Sequence, residues 1–510
     1  MTRTTHQRNT AGYQFLLLLA IYLLSASLRI DSADGETMYH VSHSLVTGRG
    51  LAIPAETTNL AVGHTTGYGK VGPDGHYYSK YGLGWSLVAV PFCALGRALT
   101  SLLPGATEGF MTRVAVMLLN PLLTATSGTL LFYLARRLYP TYLAVTLTLL
   151  YGLGTIAWYY AQSAFSEPLV TLLLLGAILA VERGHLVVAG SALGGMIFTR
   201  QTALLLALPV TAWALIRERQ DRENHLLGSA AALLLPIALG QLAVLGYNAC
   251  RFGDLLDFGY GRVAWNTPLL LGLYNQLLSP GKGLFVFVPV LLLSVIGWPA
   301  LLRRRDDLAW LVLTLVLFYL VPHALYGDWS AGGGWGPRLL LPIVPFALLP
   351  AGEVIQRWQA QRTTHAALTL LVALSLFIQV LGVSVNWARH LQRVTNESAT
   401  RAEYFYRVHY YWPDSPIPGQ LRSLAEVVTI LRDPASRATL KTLVNPETDS
   451  PLRDWQSEAV ELISFNVPDF CLVYLWFLGL PTGLLAGVAL TLTGVATGTA
   501  LLLQRALKEN

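Results

Sequence analysis

The chain has 510 residues and a formal charge of +6, and 53% of it is hydrophobic against only 13% charged. Soluble globular proteins carry roughly 25% charged residues, so this composition argues against a soluble enzyme and for a polytopic membrane protein. The positive charge is of the kind that arginines in short cytoplasmic loops supply, and no nucleic-acid partner is expected. Cys93, Cys250 and Cys471 lie far apart, with neither metal-ligand spacing nor a disulfide framework.

In chain order, Arg3 and Arg8 precede an apolar run over residues 13–30. It is long enough to span and lacks a small-residue cleavage site, which predicts a retained signal anchor. Asp31, Asp34 and Glu36 follow where this helix leaves the membrane. They read either as the acidic cap of a helix over 36–47 or as carboxylates suited to general-base work. The run over 84–103 contains Pro91 and Arg97 and is predicted to lie in the outer interface rather than to cross. Parity requires this. Basic clusters occur at Arg136-Arg137, Arg183, Arg217/Arg219/Arg222, Arg303-Arg304-Arg305, Arg357/Arg362 and Arg505/Lys508. All can be cytoplasmic only if one of the runs 13–30, 84–103 and 111–134 stays out of the bilayer. The later apolar runs pair off, which predicts about 12 transmembrane helices with both ends in the cytoplasm. Residues 387–470, polar and with Pro413, Pro416 and Pro418, read as a small extracytoplasmic cap, after which 471–510 supplies an interfacial segment and the last helix.

This topology puts the residues suited to chemistry on the outer face. Glu167, in Ala164-Phe-Ser-Glu-Pro168, heads an apolar helix whose dipole favours an anion. An acid at the lip of a bilayer is costly, which points to function. Lys80 stands in Tyr77-Tyr-Ser-Lys-Tyr-Gly-Leu-Gly84, and Arg338 closes the glycine-rich stretch that begins at Asp328. Arg200 separates two apolar half-helices, and Arg251, Arg262 and Lys282 lie in the 248–283 loop. Any of these cations can be a snorkelling headgroup contact, the reading favoured for Lys282. Grouped around carboxylates, they suit the holding of a lipid phosphate or diphosphate. A P-loop and a dinucleotide fingerprint are both missing from the sequence.

Ordered motifs over about residues 13–350 resemble the GT-C superfamily of membrane glycosyltransferases, in particular the protein O-mannosyltransferase and lipid A aminoarabinose transferase group. They are Asp34-Gly-Glu36-x-x-Tyr39, Tyr78–Gly84, Leu134-Ala-Arg-Arg-Leu138, Phe165-Ser-Glu-Pro168, Ser279-Pro-Gly-Lys-Gly-Leu-Phe285 and Gly336-Pro-Arg338. The resemblance implies an all-α GT-C-like module over 1–386, with juxtamembrane helices in the first outer loop (31–110). It implies an inverting transferase that uses a polyprenyl-phosphate sugar donor and a glycan, lipid or protein acceptor on the extracytoplasmic face of a bacterial or archaeal plasma membrane. Asp34 is then the base, with Glu36 the alternative because family members often carry adjacent acids. Glu167 assists by binding donor, acceptor or metal, so a divalent ion between Asp34 and Glu167 stays open. Lys80 is the donor-phosphate ligand, joined by Arg338 and Arg200, and Tyr39, Tyr78, Tyr81, Arg251 and Trp335 are expected substrate contacts. The alternative from another class is a transporter or flippase for a lipid-linked sugar, which would place its ionisable groups near mid-membrane.

Overall fold

A computed structural model describes residues 3–54, 68–102, 107–221, 226–261, 264–304, 306–358, 362–444 and 458–508. Arg222, Arg262, Arg305 and the side chain of Arg362 lie outside the described residues. A chain this apolar must satisfy its backbone within each segment wherever lipid surrounds it, and helices do so. Among the described residues, Glu108–Leu138, Leu226–Phe252, Asp307–Leu325, His365–Ser384 and Thr482–Lys508 are each long and apolar enough to cross a membrane. A sixth candidate is a pair of helical segments, Arg338–Leu348 and Ala351–Arg357, bent by 43°. Leu227, Leu235, Leu370 and Leu490 stand exposed on such helices, as expected where lipid covers the surface. The other apolar runs fold as shorter or broken helices, among them Thr141–Gly154, Glu167–Glu182 and Leu186–Thr199.

Two features differ from the sequence expectation. The fold is mostly rather than wholly helical, because the stretch expected as the first outer loop contains an antiparallel hairpin, Gly69–Val71 with Tyr77–Ser79. Its tight turn takes Gly75 at φ +80°, a conformation that glycine adopts without penalty. The first helix, Arg3–Leu24, also stops short of residue 30. Beyond it the backbone carbonyl of Ala26 accepts from the Cys471 N–H at 2.7 Å, so this stretch pairs with a distant segment instead of coiling. The run at 84–103 is a one-sided helix, Gly84–Thr100, with Trp85, Ala89 and Cys93 inward and Leu87, Val88 and Leu95 outward.

Arginines from separate sequence clusters meet at one end of the helices. Arg137 and Arg217 both bind Glu182, at 2.5 and 2.7 Å, and Arg217 also reaches Asp307 at 3.2 Å. Arg304 pairs with Glu353 at 2.5 Å and donates to the carbonyl of Leu138. Glu182 ends the helix that Glu167 begins, so the two acids lie about 22 Å apart at 1.5 Å per residue. One helix thus separates the arginine-rich end from the end that carries Glu167.

The described residues of the 387–470 stretch fold mainly as helices, including Trp387–Glu397, Arg401–His409 and Pro416–Arg432, tied together by Arg389 and Arg393 on Glu426 and by Arg407 and Arg422 on Asp414. Its end returns to the segment that follows the first helix through Arg29, which pairs with Asp469 at 3.3 Å with both side chains largely buried. Breaking a buried pair strands one charge, whereas replacing both partners with apolar groups does not. Asp469→Leu should therefore lower unfolding free energy by about 3 kcal/mol, measured by denaturation in detergent. The Arg29→Met/Asp469→Leu double variant should recover most of that loss, and an equal loss in the double variant would contradict the pairing.

Candidate functional site

The helix Ala33–Val46 starts with Ser32, whose hydroxyl accepts from the Gly35 N–H. Asp34 and Glu36 are two steps apart on this helix, about 200° around its axis, so they face different neighbours. Gly35 between them rests on the next element: a Cβ there would lie 2.7 Å from the Cβ of Ala164. The Asp-Gly-Glu spelling thus reflects close packing against the turn that leads to Glu167.

That turn is fixed by Asn120, whose amide donates to the carbonyls of Ser163 and Phe165 while its own carbonyl accepts from Trp85 Nε1 at 3.0 Å. Glu167 is completely buried. Its charge is met by Arg200 Nη1 at 3.0 Å and by Arg338 Nε at 3.4 Å. Arg338 also binds Asp34 Oδ2 through Nη1 at 2.9 Å, donates to the carbonyl of Ala331 and lies 4.1 Å over the Phe165 ring. The glycines before Arg338 let its loop turn back: Ala331 and Gly332 both take positive φ, and Lys282 Nζ donates to the Gly334 carbonyl at 2.9 Å.

Lys80 reaches the same site from the hairpin. Arg251 braces the backbone there, donating to the carbonyls of Ser79 and Tyr81 while stacking 3.6 Å over the Tyr247 ring. Gly82 and Gly84 press on Thr199, where any Cβ would overlap its atoms. This contact sets the Lys80 segment beside Arg200, the next residue along. Lys80 Nζ has no carboxylate partner within ion-pair distance among the described residues. It sits instead 5.2–5.4 Å from the ring centres of Tyr68, Tyr81 and Tyr260.

Burial pushes the Asp34 carboxyl up, but Arg338, the Tyr81 hydroxyl and Lys80 outweigh it and hold the group below the usual carboxylate range. Burial lowers Lys80, partly offset by Asp34 and Asp328. Burial also raises the carboxyl of Asp328, against the pull of Arg338, Lys80 and Lys282. Lys282 is pushed down to about 7 by its burial and by Arg338. A divalent metal does not fit between Asp34 and Glu167. Their negative charge is already matched by two guanidinium groups at 2.9–3.4 Å, which would repel a further cation. No group of three or more metal-ligating side chains gathers among the described residues either.

The structure therefore brings Asp34, Glu167, Lys80, Arg200 and Arg338 together, with Tyr81 beside them. Glu36 points elsewhere, into a bidentate pair with Arg113 at 2.9 and 3.2 Å, with Tyr39 stacked on the same guanidinium and bonded to Thr112. Tyr78 closes the hairpin on Asp74, and Trp335 is a fully buried core ring against Phe287 and Trp387. Arg251 acts on the backbone around Lys80 rather than facing the carboxylates. Tyr68, Tyr260 and Asp328 had no role in the sequence reading, and the only signal for Tyr260 is its flanking glycines in Gly259-Tyr-Gly261. Glu36→Gln should strand Arg113 and cost about 3 kcal/mol or more of stability. Affinity for a polyprenyl phosphate should stay unchanged in the same detergent-purified variant, and a large loss of that affinity would move Glu36 into the site.

No curated protein matches this chain. Over nearly its whole length, 95%, it is similar to the structure of ArnT from Cupriavidus metallidurans bound to undecaprenyl phosphate, at 14% identity, 76% of that chain and a TM-score of 0.46. It is also similar to the Archaeoglobus fulgidus oligosaccharyltransferase, at 11% identity and a TM-score of 0.49, with 82% of this chain matched to 61% of that one. The assignment rests on a third finding, since the family model for Alg9-like mannosyltransferases matches residues 86–410, a stretch that contains Glu167, Arg200 and Arg338. The chain thus belongs to the Alg9-like mannosyltransferase family and is a membrane glycosyltransferase of the GT-C superfamily.

Proposed function

We propose that this enzyme moves a sugar from a polyprenyl-phosphate donor to an acceptor hydroxyl, inverting the anomeric centre, on the extracytoplasmic face. The observation that carries the reading is the division of labour among the cations. Arg200 and Arg338 are committed to carboxylates, whereas Lys80 has no carboxylate within ion-pair distance among the described residues and is flanked by three ring faces. Lys80 is then the cation free to take a phosphate, and Asp34 is the ionised carboxylate beside it. The acceptor oxygen attacks the anomeric carbon, forming the new C–O bond while the bond to the phosphate oxygen breaks. The displaced lipid phosphate keeps the electron pair, and Lys80 stabilises its charge. The hydroxyl proton passes to Asp34. A carboxylate held this acidic can still take that proton, because an oxygen already bonding to the anomeric carbon has become strongly acidic. Arg338 holds Asp34 in place, and Glu167 holds Arg338. A single displacement of this kind inverts the centre. The acceptor is a glycan, lipid or protein hydroxyl.

The same reading retains about 12 crossings with both termini in the cytoplasm, the arginine network inside and the Asp34 site outside. Cysteines introduced near Asp74, Asp328 and Asp414 should react with an impermeant reagent in intact cells, and those near Arg137, Arg219 and Arg304 should be protected. Labelling of the arginine-rich ends from outside would reverse the orientation.

Turnover of a radiolabelled polyprenyl-phosphate sugar tests the chemistry. Asp34→Asn should keep the fold and donor affinity while lowering turnover roughly 10²–10⁴-fold. Lys80→Ala should weaken donor binding by about 1.5–3 kcal/mol, the size of a lost charged hydrogen bond. The pH profile has a definite sign. Asp34, held below its ordinary value of 3.8, stays ionised as pH falls to the usual carboxylate range, so no acid limb is expected there. Lys80, lowered from 10.5, should lose its proton and the donor its affinity as pH rises through a value below that. Near-normal turnover of Asp34→Asn would remove the base from this residue.

A further inference from the structure

Lys80 is enclosed by rings from three separate places in the chain: Tyr68 at 5.3 Å, its neighbour Tyr81 at 5.4 Å and Tyr260 at 5.2 Å from Nζ. Tyr260 differs from the other two. Tyr81 is buried, while Tyr260 is 46% exposed and stands at the solvent side of the group, edge-on to Tyr81 with ring centres 6.4 Å apart. It is carried on an outer turn whose glycines, Gly259 and Gly261, take φ of +75° and +67°. That conformation strains any residue with a Cβ. The turn also lies directly on the lysine: a Cβ built on Gly259 would be 3.1 Å from Lys80 Cβ. Asp257 anchors it, accepting from the Gly259 N–H at 2.8 Å and pairing with Lys70 of the hairpin that carries Lys80. Two glycines and an ion pair thus hold one aromatic ring against the ammonium group.

We propose that Tyr260 is a positioning residue of the donor-phosphate subsite, holding the Lys80 ammonium by its ring face so that it meets the phosphate already aimed and partly dehydrated. Ring faces attract a cation without neutralising it. A carboxylate in the same place would compete with the phosphate for Lys80, as Asp34 and Glu167 do for Arg338. The rings therefore keep a half-buried lysine in place while leaving its charge available. What acts is the π face of Tyr260, not its hydroxyl.

The inference rests on Lys80 being the phosphate ligand, and the test separates the two. Binding of a short-chain polyprenyl phosphate to the full-length protein in detergent is measured by calorimetry for Tyr260→Phe, Tyr260→Leu, Lys80→Ala and the Lys80→Ala/Tyr260→Leu double variant. Tyr260→Leu keeps bulk and removes the π face, so affinity should fall about 3- to 30-fold, the range of a cation–π contact. Tyr260→Phe should bind within about twofold of the parent. The double variant should bind no more weakly than Lys80→Ala alone, since Tyr260 acts only through Lys80; a purely structural role would add its loss in both backgrounds. Unchanged affinity in Tyr260→Leu, a loss in Tyr260→Phe equal to that of Leu, or additive losses in the double variant would each overturn the role of Tyr260. If Lys80→Ala binds normally, the assignment of Lys80 falls and this inference with it.

Discussion

One guanidinium holds the site together. Arg338 binds Asp34 and Glu167 at once, and these residues come from three elements far apart in the chain. Removing charges from water costs several kcal/mol per ion even after relaxation, so none of the three can be buried alone. Their mutual pairing, with Arg200 as a second cation on Glu167, is what permits a charged centre among apolar helices. It also fixes where each element must stop. Asp34 lies in the first turn of the Ala33–Val46 helix, the Glu167–Glu182 helix begins at its acid, and the glycine-rich loop folds back to deliver Arg338.

The opposite end of the bundle follows the same rule with different geometry. Glu182, Asp307 and Glu353 gather Arg137, Arg217 and Arg304, so apolar helices are pinned at both ends by ion pairs. The two sets differ in exposure. Glu167 is fully buried, whereas the side chains of Arg137 and Asp307 are nearly half exposed. Exposed pairs are worth little each and serve to align helix ends, while the buried set constrains the chemistry. Under the proposed reaction the cations that offset buried acids stay with those acids, and Lys80, flanked by tyrosine rings, is the one that takes the donor phosphate.

The 387–470 stretch is joined to this centre by contacts that need no charge transfer of their own. Gly281, beside Lys282, packs against the backbone of His409, and the Gly281 N–H donates to the His409 carbonyl. Lys282 in turn holds Gly334 in the loop that ends at Arg338. His409 and the arginine loop are thus linked through Gly281 and Lys282, and the Arg29–Asp469 pair fastens the end of the 387–470 stretch to the segment after the first helix.

The sequence by itself determined the class of the protein, because hydropathy and charge are properties of composition and local order. It also determined the candidate acids and cations: Asp34, Glu167, Lys80, Arg200 and Arg338 are legible as ionisable residues at the ends of apolar runs. Part of the grouping of basic clusters was readable too, since Arg137, Arg217 and Arg304, from three of the six clusters, gather at one end of the helices. Partnership was not readable. Whether a cation binds substrate or a neighbouring acid depends on distances across elements, and Arg338 and Asp34 are 304 positions apart. Asp34 and Glu36 carry the same charge two residues apart, and only their opposite faces on one helix, set by Gly35 against Ala164, send one to Arg338 and the other to Arg113. Tyr260 was least visible of all, because an exposed tyrosine in a loop gains its meaning from a lysine that the hairpin brings under its ring. Charge and hydropathy are written locally, whereas the match of one charge to another is decided by the tertiary fold.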